Sequence, residues 1–238
     1  MNQSFAILFK SFADSDFFGK GIFFALFTLS LVCWIIIGYK AWIFHLMKRE
    51  VNLQFQSLAK AQDGILNADL SPIKDLKIQP FIYLYFRMRE KTIKILEKNQ
   101  FFTKTPENKV FLTKDDLALI HHELDSGIAH QMKEIENGLF VLNNSVSLAP
   151  FLGILGTVWG ILISLFEMQK GSNAFSNTVI IQGLSTALAT TVIGLLIAIP
   201  ALIGHAYLKS ITKGIALDLS LFSNELVSKL ELQYKKVE

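Results

Sequence analysis

NGLFVLNNSVSLAPFLGILGTVWGILISLF, residues 137–166, runs for 30 positions without an acidic or basic side chain. About 20 apolar helical residues cross the hydrocarbon core of a bilayer, so this stretch is long enough to span and to continue beyond. Two further gaps in the charge pattern lie on either side of it. GSNAFSNTVIIQGLSTALATTVIGLLIAIPALIGHAYL, residues 171–208, offers only His205 as a possible charge over 38 positions, and GIFFALFTLSLVCWIIIGY, residues 21–39, is uncharged over 19. The three gaps predict an all-α integral membrane protein with three transmembrane helices. Composition agrees: of 238 residues, 51% are hydrophobic and 18% charged, against about 25% charged in an ordinary soluble domain. The net charge of +3 is too small to imply a nucleic-acid partner. The single cysteine, Cys33, excludes an intrachain disulfide and any multi-cysteine metal site. Twenty Phe and five Pro argue against disorder.

The first span reads as an uncleaved anchor rather than a signal peptide. Asp14 and Asp16 precede it, no small-x-small site follows before Lys40, and Trp34, Tyr39 and Trp42 have the character of interfacial anchors. Basic residues set the orientation. Lys40, Lys48 and Arg49 follow span one, Lys209 and Lys213 follow span three, and the turn between spans two and three carries only Glu167 and Lys170. The expected order is an outer N-terminal segment (1–20), transmembrane helix 1 (21–44) and an inner helical region (45–136). Transmembrane helix 2 (137–166), a short outer turn (167–177), transmembrane helix 3 (178–208) and an inner C-terminal helix (209–238) complete it.

Most of the charged residues fall in the inner region, which Pro72, Pro80 and Pro106 punctuate into shorter helices. Thr113 with Asp116 has the spacing of a capping box. Leu117, Ile120, Leu124, Ile128, Met132, Ile135, Leu139 and Leu142 then follow at steps of three or four. That predicts one amphipathic stripe running straight into span two. Leu208, Ile211, Ile215, Leu219, Phe222, Leu226 and Leu230 repeat the pattern in the tail. Helices two and three are therefore expected to extend well past the membrane on the inner side, with apolar stripes that need partners from the same chain or from neighbours.

Within the spans the informative residues are small or hydroxylic. Gly153, Thr157, Gly160 and Ser164 share one face of span two, with Pro150 placed to bend the helix. Gly183, Ala187, Thr190, Gly194, Ala198 and Ala201 share one face of span three, which continues to Pro200. Such faces allow close approach of helix backbones. Ser185, Thr186, Thr190 and Thr191 add four hydroxyls within seven positions. They fit two readings, bonding to the carbonyl four residues back in their own helix or lining a cavity or interface. No Asp, Glu, Lys or Arg lies in any of the three gaps. A proton path through them would need its titratable group from a second polypeptide.

Other candidates reduce to bland roles. His121, His122, Glu123 and Asp125 read as a hydrated helix face, since no further metal ligand is identifiable. His45 and His205 read as polar residues near span ends, and Cys33 as a small packing residue. The absence of a Gly-rich phosphate loop or a Ser-His-Asp spacing points away from an enzyme, and no cofactor or metal is called for.

APFLGILGTVWGI (Ala149 to Ile161) and GLSTALATTVIGLLIAIPA (Gly183 to Ala201) resemble the two signature spans of the MotA/TolQ/ExbB proton-channel family. The likeness rests on the GTVWGI core, the GL-x-x-AL opening, the T-x-IGL run and the AIPA end. LVCWIII in span one is similar to the TolQ branch, with ExbB close behind, and three spans rather than four argue against the flagellar-stator branch. The resemblance implies a homo-oligomer, a pentamer, in the bacterial inner membrane, with the N-terminus periplasmic and the C-terminus cytoplasmic. It also implies a TolR- or ExbD-like single-span partner carrying a membrane aspartate, and a TolA- or TonB-like periplasm-spanning protein that receives the work. Lipid surrounds the assembly and no nucleic acid takes part. Thr157 and Thr191 match the family's pore threonines, and Thr186 stands where the family's GIAEAL pattern has glutamate. By the same carry-over Thr157, Thr191 and Thr186 are proton-pathway candidates, while the small residues and prolines of the spans make Gly153, Gly156, Gly160, Gly183, Gly194, Pro150 and Pro200 helix-packing candidates. A non-conducting membrane scaffold for the single-span partner is the alternative that the missing carboxylate motivates.

Overall fold

The computed structural model describes residues 9–13, 15–60, 64–67, 79–103, 111–169 and 176–234. All regular structure among them is helical. The five long helices are α1 (Phe17–Lys60), α2 (Pro80–Thr103), α3 (Lys114–Glu136), α4 (Leu139–Gln169) and α5 (Ser176–Tyr234), with a 3-10 turn at Ile65–Asn67. Three of them, α1, α4 and α5, are long and apolar enough to cross a membrane. Pro72, Pro106 and most of the turn expected at 167–177 lie outside the described residues. Pro80 is the first residue of α2, where its missing N–H costs no helical hydrogen bond and its fixed φ suits the helix.

The chain divides into two compact units, residues 1–39 with 138–208, and residues 40–137 with 209–238. In the first, Ile22 and Leu26 of α1 pack with Ala149 of α4 and Ala198 of α5, flanked by Leu29, Leu152, Ile193 and Ile197. Gly204 belongs to the same packing, since a methyl there would stand 2.6 Å from Ile37 Cδ1. Pro150 and Pro200 sit inside α4 and α5, and both helices run through them.

In the second unit, α2 and α3 lie antiparallel. Tyr83 stacks on His130, Arg87 pairs with Glu123 at 2.5 Å, and Asn99 Nδ2 donates to Asp116 Oδ2 at 2.9 Å. The tail stripe is covered from within the chain: Phe222 meets the rings of Phe55 and Phe81 edge-on, each at 5.4 Å, and Leu219, Leu226 and Leu230 are fully buried. Tyr85 Oη donates to the Ile65 carbonyl at 3.0 Å, and the Leu112 N–H donates to the Tyr234 carbonyl at 2.8 Å. The Thr113–Asp116 capping box is formed in both directions at the start of α3. The buried Lys40 ammonium donates to the Ile135 carbonyl at 2.9 Å, in the last turn of α3, where the helix dipole favours a cation.

One expectation is corrected here. The stripe from Leu117 to Leu142 does not belong to a single helix, because α3 ends at Glu136 and α4 starts at Leu139. Asn137 (φ −56°, ψ 129°) and Gly138 (φ +89°) form a turn, so the helical hydrogen-bond ladder is interrupted. Both sides of the break keep buried positions, Ile135 before it and Leu139 and Leu142 after it, which is why apolar spacing alone does not reveal it.

Candidate functional site

Along α4 the buried positions are Leu139, Leu142, Ser145, Ala149, Gly153, Gly156, Gly160 and Ser164, three or four apart. The large apolar residues Phe151, Ile154, Leu155, Val158, Ile161 and Leu162 are exposed. This inverts the pattern of a soluble helix. Lipid tails are as apolar as leucine, so a membrane helix gains by close backbone packing rather than by hiding large side chains.

The partner of that face is α5. A Cβ added at Gly153 would lie 3.0 Å from Thr191 Cα, and one at Gly156 would lie 2.6 Å from Thr190 Cβ. At Gly160 it would lie 2.8 Å from both Ala187 Cβ and the Gly183 carbonyl oxygen. At Gly194 it would lie 2.7 Å from the Ala149 carbonyl oxygen, and at Gly183 it would run into Ser164 Oγ. These five glycines thus sit where the two backbones are nearest, in register from Ala149/Gly194 at one end to Ser164/Gly183 at the other.

Hydroxyls at this seam have defined partners. Thr157 donates to its own helix at the Ile154 carbonyl, 2.7 Å, and Thr190 to the Ala187 carbonyl, 2.7 Å. Both bonds reach three residues back. Across the seam, Thr191 donates to the Gly153 carbonyl at 3.0 Å, and Thr190 reaches the same carbonyl at 3.4 Å. Thr157 and Thr191 are half-buried, whereas Thr190 is sealed. Since each threonine proton is directed at a carbonyl, the oxygen lone pairs remain as acceptors. Thr186 does not join this group. It is buried and donates to the Ser11 carbonyl at 3.3 Å.

Residues 9–16 were not singled out by sequence as site residues. Besides Ser11 against Thr186, Asp16 Oδ2 accepts from Trp159 Nε1 at 2.9 Å, and the Phe18 ring lies 4.3 Å from the Trp159 ring. A signal existed: Trp159 carries an N–H in an apolar span that offers no acidic acceptor, and such donors find a partner elsewhere. Ser15 Oγ donates to the Ser11 carbonyl at 2.6 Å, and Asp16 caps α1 by accepting from the N–H groups of Phe18 and Gly19.

Among the described residues no group of three or more His, Cys, Asp or Glu is placed to hold a metal ion. His121 Nδ1 lies 3.1 Å from Asp125 Oδ2 on the exposed face of α3, as an i,i+4 pair. Cys33 is buried and free.

The sequence model described as the MotA/TolQ/ExbB proton channel family matches residues 94–220, which include the whole α4–α5 seam. "Biopolymer transport protein ExbB" of Neisseria gonorrhoeae is 31% identical over 104 residues, 44% of this chain and 47% of that protein. "Tol-Pal system protein TolQ" of Haemophilus influenzae is 31% identical over 103 residues, 43% of this chain and 45% of that protein. "Biopolymer transport protein ExbB" of Xanthomonas campestris pv. campestris is 27% identical over 107 residues, 45% of this chain and 42% of that protein. The matched stretch spans about half the length of these curated relatives.

Proposed function

Because this chain belongs to the MotA/TolQ/ExbB proton channel family, we propose that it is the proton-channel subunit of a Tol-Pal-type complex in the bacterial inner membrane. It uses the proton-motive force to drive a periplasm-spanning partner that maintains the outer membrane. The observation that carries this reading is the family match over a seam of glycines and threonines that contains no carboxylate. An ExbB-like role in outer-membrane uptake rests on the relative of that name at the same identity as the TolQ relative.

In this reading the subunits form a pentamer around a TolR- or ExbD-like single-span partner, with the N-terminus periplasmic and the C-terminus cytoplasmic. The partner's membrane aspartate carries the proton. Thr157 and Thr191 serve it as hydrogen-bond acceptors, because their own protons are held by the Ile154 and Gly153 carbonyls. A protonated aspartate or a water can donate to them, and an ionised aspartate finds no donor there until a hydroxyl turns. Thr186, facing Ser11, contributes to the path only if that contact opens. Each charge crossing 100 mV releases about 2.3 kcal/mol, which is the source of work.

Proton flux into liposomes tests the reading, with the protein alone and then in complex with its single-span partner. Partner-dependent flux that disappears when the partner's membrane Asp becomes Asn is expected, as is loss of flux in Thr157→Ala and Thr191→Val with assembly intact. No flux from a correctly inserted complex would favour the scaffold, and full flux in both threonine variants would remove them from the path.

A further inference from the structure

The stretches 137–166 and 171–208 contain no carboxylate, yet one is held against them. Asp16 Oδ2 accepts from Trp159 Nε1 at 2.9 Å, and Trp159 lies within the GTVWGI run of α4. The segment that delivers it is fixed at two more points. Thr186 of α5 donates to the Ser11 carbonyl at 3.3 Å, and Phe12 packs edge-on against Phe23 of α1 at 5.6 Å. Ser11, Phe12 and Asp16 therefore bridge both helices of the seam at the end where α1 begins.

Asp16 stays exposed while its indole partner is half-buried. One side of the carboxylate is open and the other is held against a span. Oδ1 accepts only from the Gly19 N–H, at 3.1 Å, among the described contacts, and an ionised carboxylate oxygen has room for a further donor. A cap for α1 does not require this position relative to Trp159, since an Asx cap is satisfied by its own helix.

We infer that Asp16 is a proton-relay residue of this subunit, exchanging protons between the water at that end of the spans and the path along the α4–α5 seam; this rests on the channel reading above. The carboxylate takes a proton from a hydronium ion, leaving water. It then gives that proton to a water molecule on the path, leaving carboxylate again. Trp159 holds the group in place throughout.

Three substitutions separate the relay from a cap. Asp16→Asn keeps an N-cap and an acceptor for Trp159 but carries no proton. Asp16→Glu keeps a carboxylic acid. Asp16→Ala removes both functions. The measurement is proton flux through the partner-bound complex in liposomes, with thermal stability of each variant recorded alongside. Asp16→Asn is expected to lower flux by about a hundred-fold, the low end for a positioned proton-transfer group, with wild-type stability, while Asp16→Glu retains most of the flux. Wild-type flux in Asp16→Asn, with a stability loss confined to Asp16→Ala, would overturn the relay and leave Asp16 a cap. Absence of flux in the wild-type complex would instead refute the channel reading, and the relay with it.

Discussion

Gly156→Ala and Gly214→Ala are the same chemical change at the α4–α5 seam and in the tail of α5, and the structure gives them opposite signs. At Gly156 the new methyl would stand 2.6 Å from Thr190 Cβ and 2.9 Å from its Cγ2. Ordinary van der Waals contact begins near 3.4 Å, so about 0.8 Å must be found. Rotation of the threonine cannot supply it, because Cβ is fixed to the backbone and a β-branched side chain is stiff at χ1. Thr190 is also 1% exposed and tied to the Ala187 carbonyl. The helices must separate, and overpacking of this kind costs about 1–3 kcal/mol. Alanine's better helix propensity returns about 1 kcal/mol, leaving a net loss of about 1 kcal/mol. At Gly214 nothing lies within 4 Å of the added methyl, and a gain of about 0.5–1 kcal/mol is expected. The assay is reversible unfolding in mild detergent, followed by circular dichroism, on both variants and the wild type. Gly156→Ala combined with Thr190→Gly should recover part of the loss, giving a coupling of about 1 kcal/mol in a double-mutant cycle. A Gly156→Ala variant as stable as Gly214→Ala would refute the close approach at Thr190 and with it the register of the seam.

Gly138→Ala should cost about 1–2 kcal/mol, because φ +89° at this position places an L side chain in the left-handed region; equilibrium denaturation measures it, and a stabilised variant would mean that α3 and α4 join as one helix. Burial raises the Asp116 pKa, but hydrogen bonds from the Thr113 backbone and from the Asn99 and Thr113 side chains, with the Lys98 charge, outweigh it and hold the carboxyl below its ordinary value. A depressed folded pKa stabilises above the unfolded value of about 3.9 and is lost as pH falls through the folded one, so Asp116→Asn should flatten the acid limb of the stability–pH curve. An unchanged acid limb would show that the capping box carries no such linkage. Lys40→Met keeps the buried stem but leaves the Ile135 carbonyl without its 2.9 Å donor, at a cost of about 1–3 kcal/mol; denaturation midpoints equal to wild type would show that water replaces the ammonium.

Sequence was informative wherever the governing interaction is local or compositional. Charge gaps alone find the three apolar helices, because lipid excludes ionised groups from a whole segment at once. The capping box needs only Thr113 and Asp116 at the right spacing. The tail stripe at Leu219, Phe222, Leu226 and Leu230 is periodic, and its burial follows. The break at Gly138 escaped because periodicity records which face is apolar and not whether the hydrogen-bond ladder is continuous. Contacts between residues far apart in the chain also escaped. Lys40 with Ile135, Ser11 with Thr186, and Asp16 with Trp159 are separated by 95, 175 and 143 positions, and no spacing rule couples such positions.

The hydroxyls show how the two kinds of information combine. Sequence left Thr190 and Thr191, with Ser185 and Thr186, open between bonding within a helix and lining an interface, and placed Thr157 on the small-residue face of span two. Geometry grades them: Thr157 bonds within its own helix, Thr190 bonds to Ala187 in its own helix at 2.7 Å and reaches the Gly153 carbonyl only at 3.4 Å, and Thr191 bonds across to Gly153 at 3.0 Å. The division follows from Gly153, whose missing side chain leaves its carbonyl accessible to α5, with Thr191 Cα only 3.0 Å from where a Cβ would be. A larger residue at 153 would therefore do two things at once, forcing the helices apart and drawing the residue 153 carbonyl out of reach of the Thr191 hydroxyl. In the proposed channel the second effect matters more. A freed Thr191 hydroxyl becomes a donor, able to stabilise the ionised form of a neighbouring aspartate, whereas the observed one serves only as an acceptor for its protonated form. Gly153 thus sets the chemical sense of the threonine as well as the spacing of the seam.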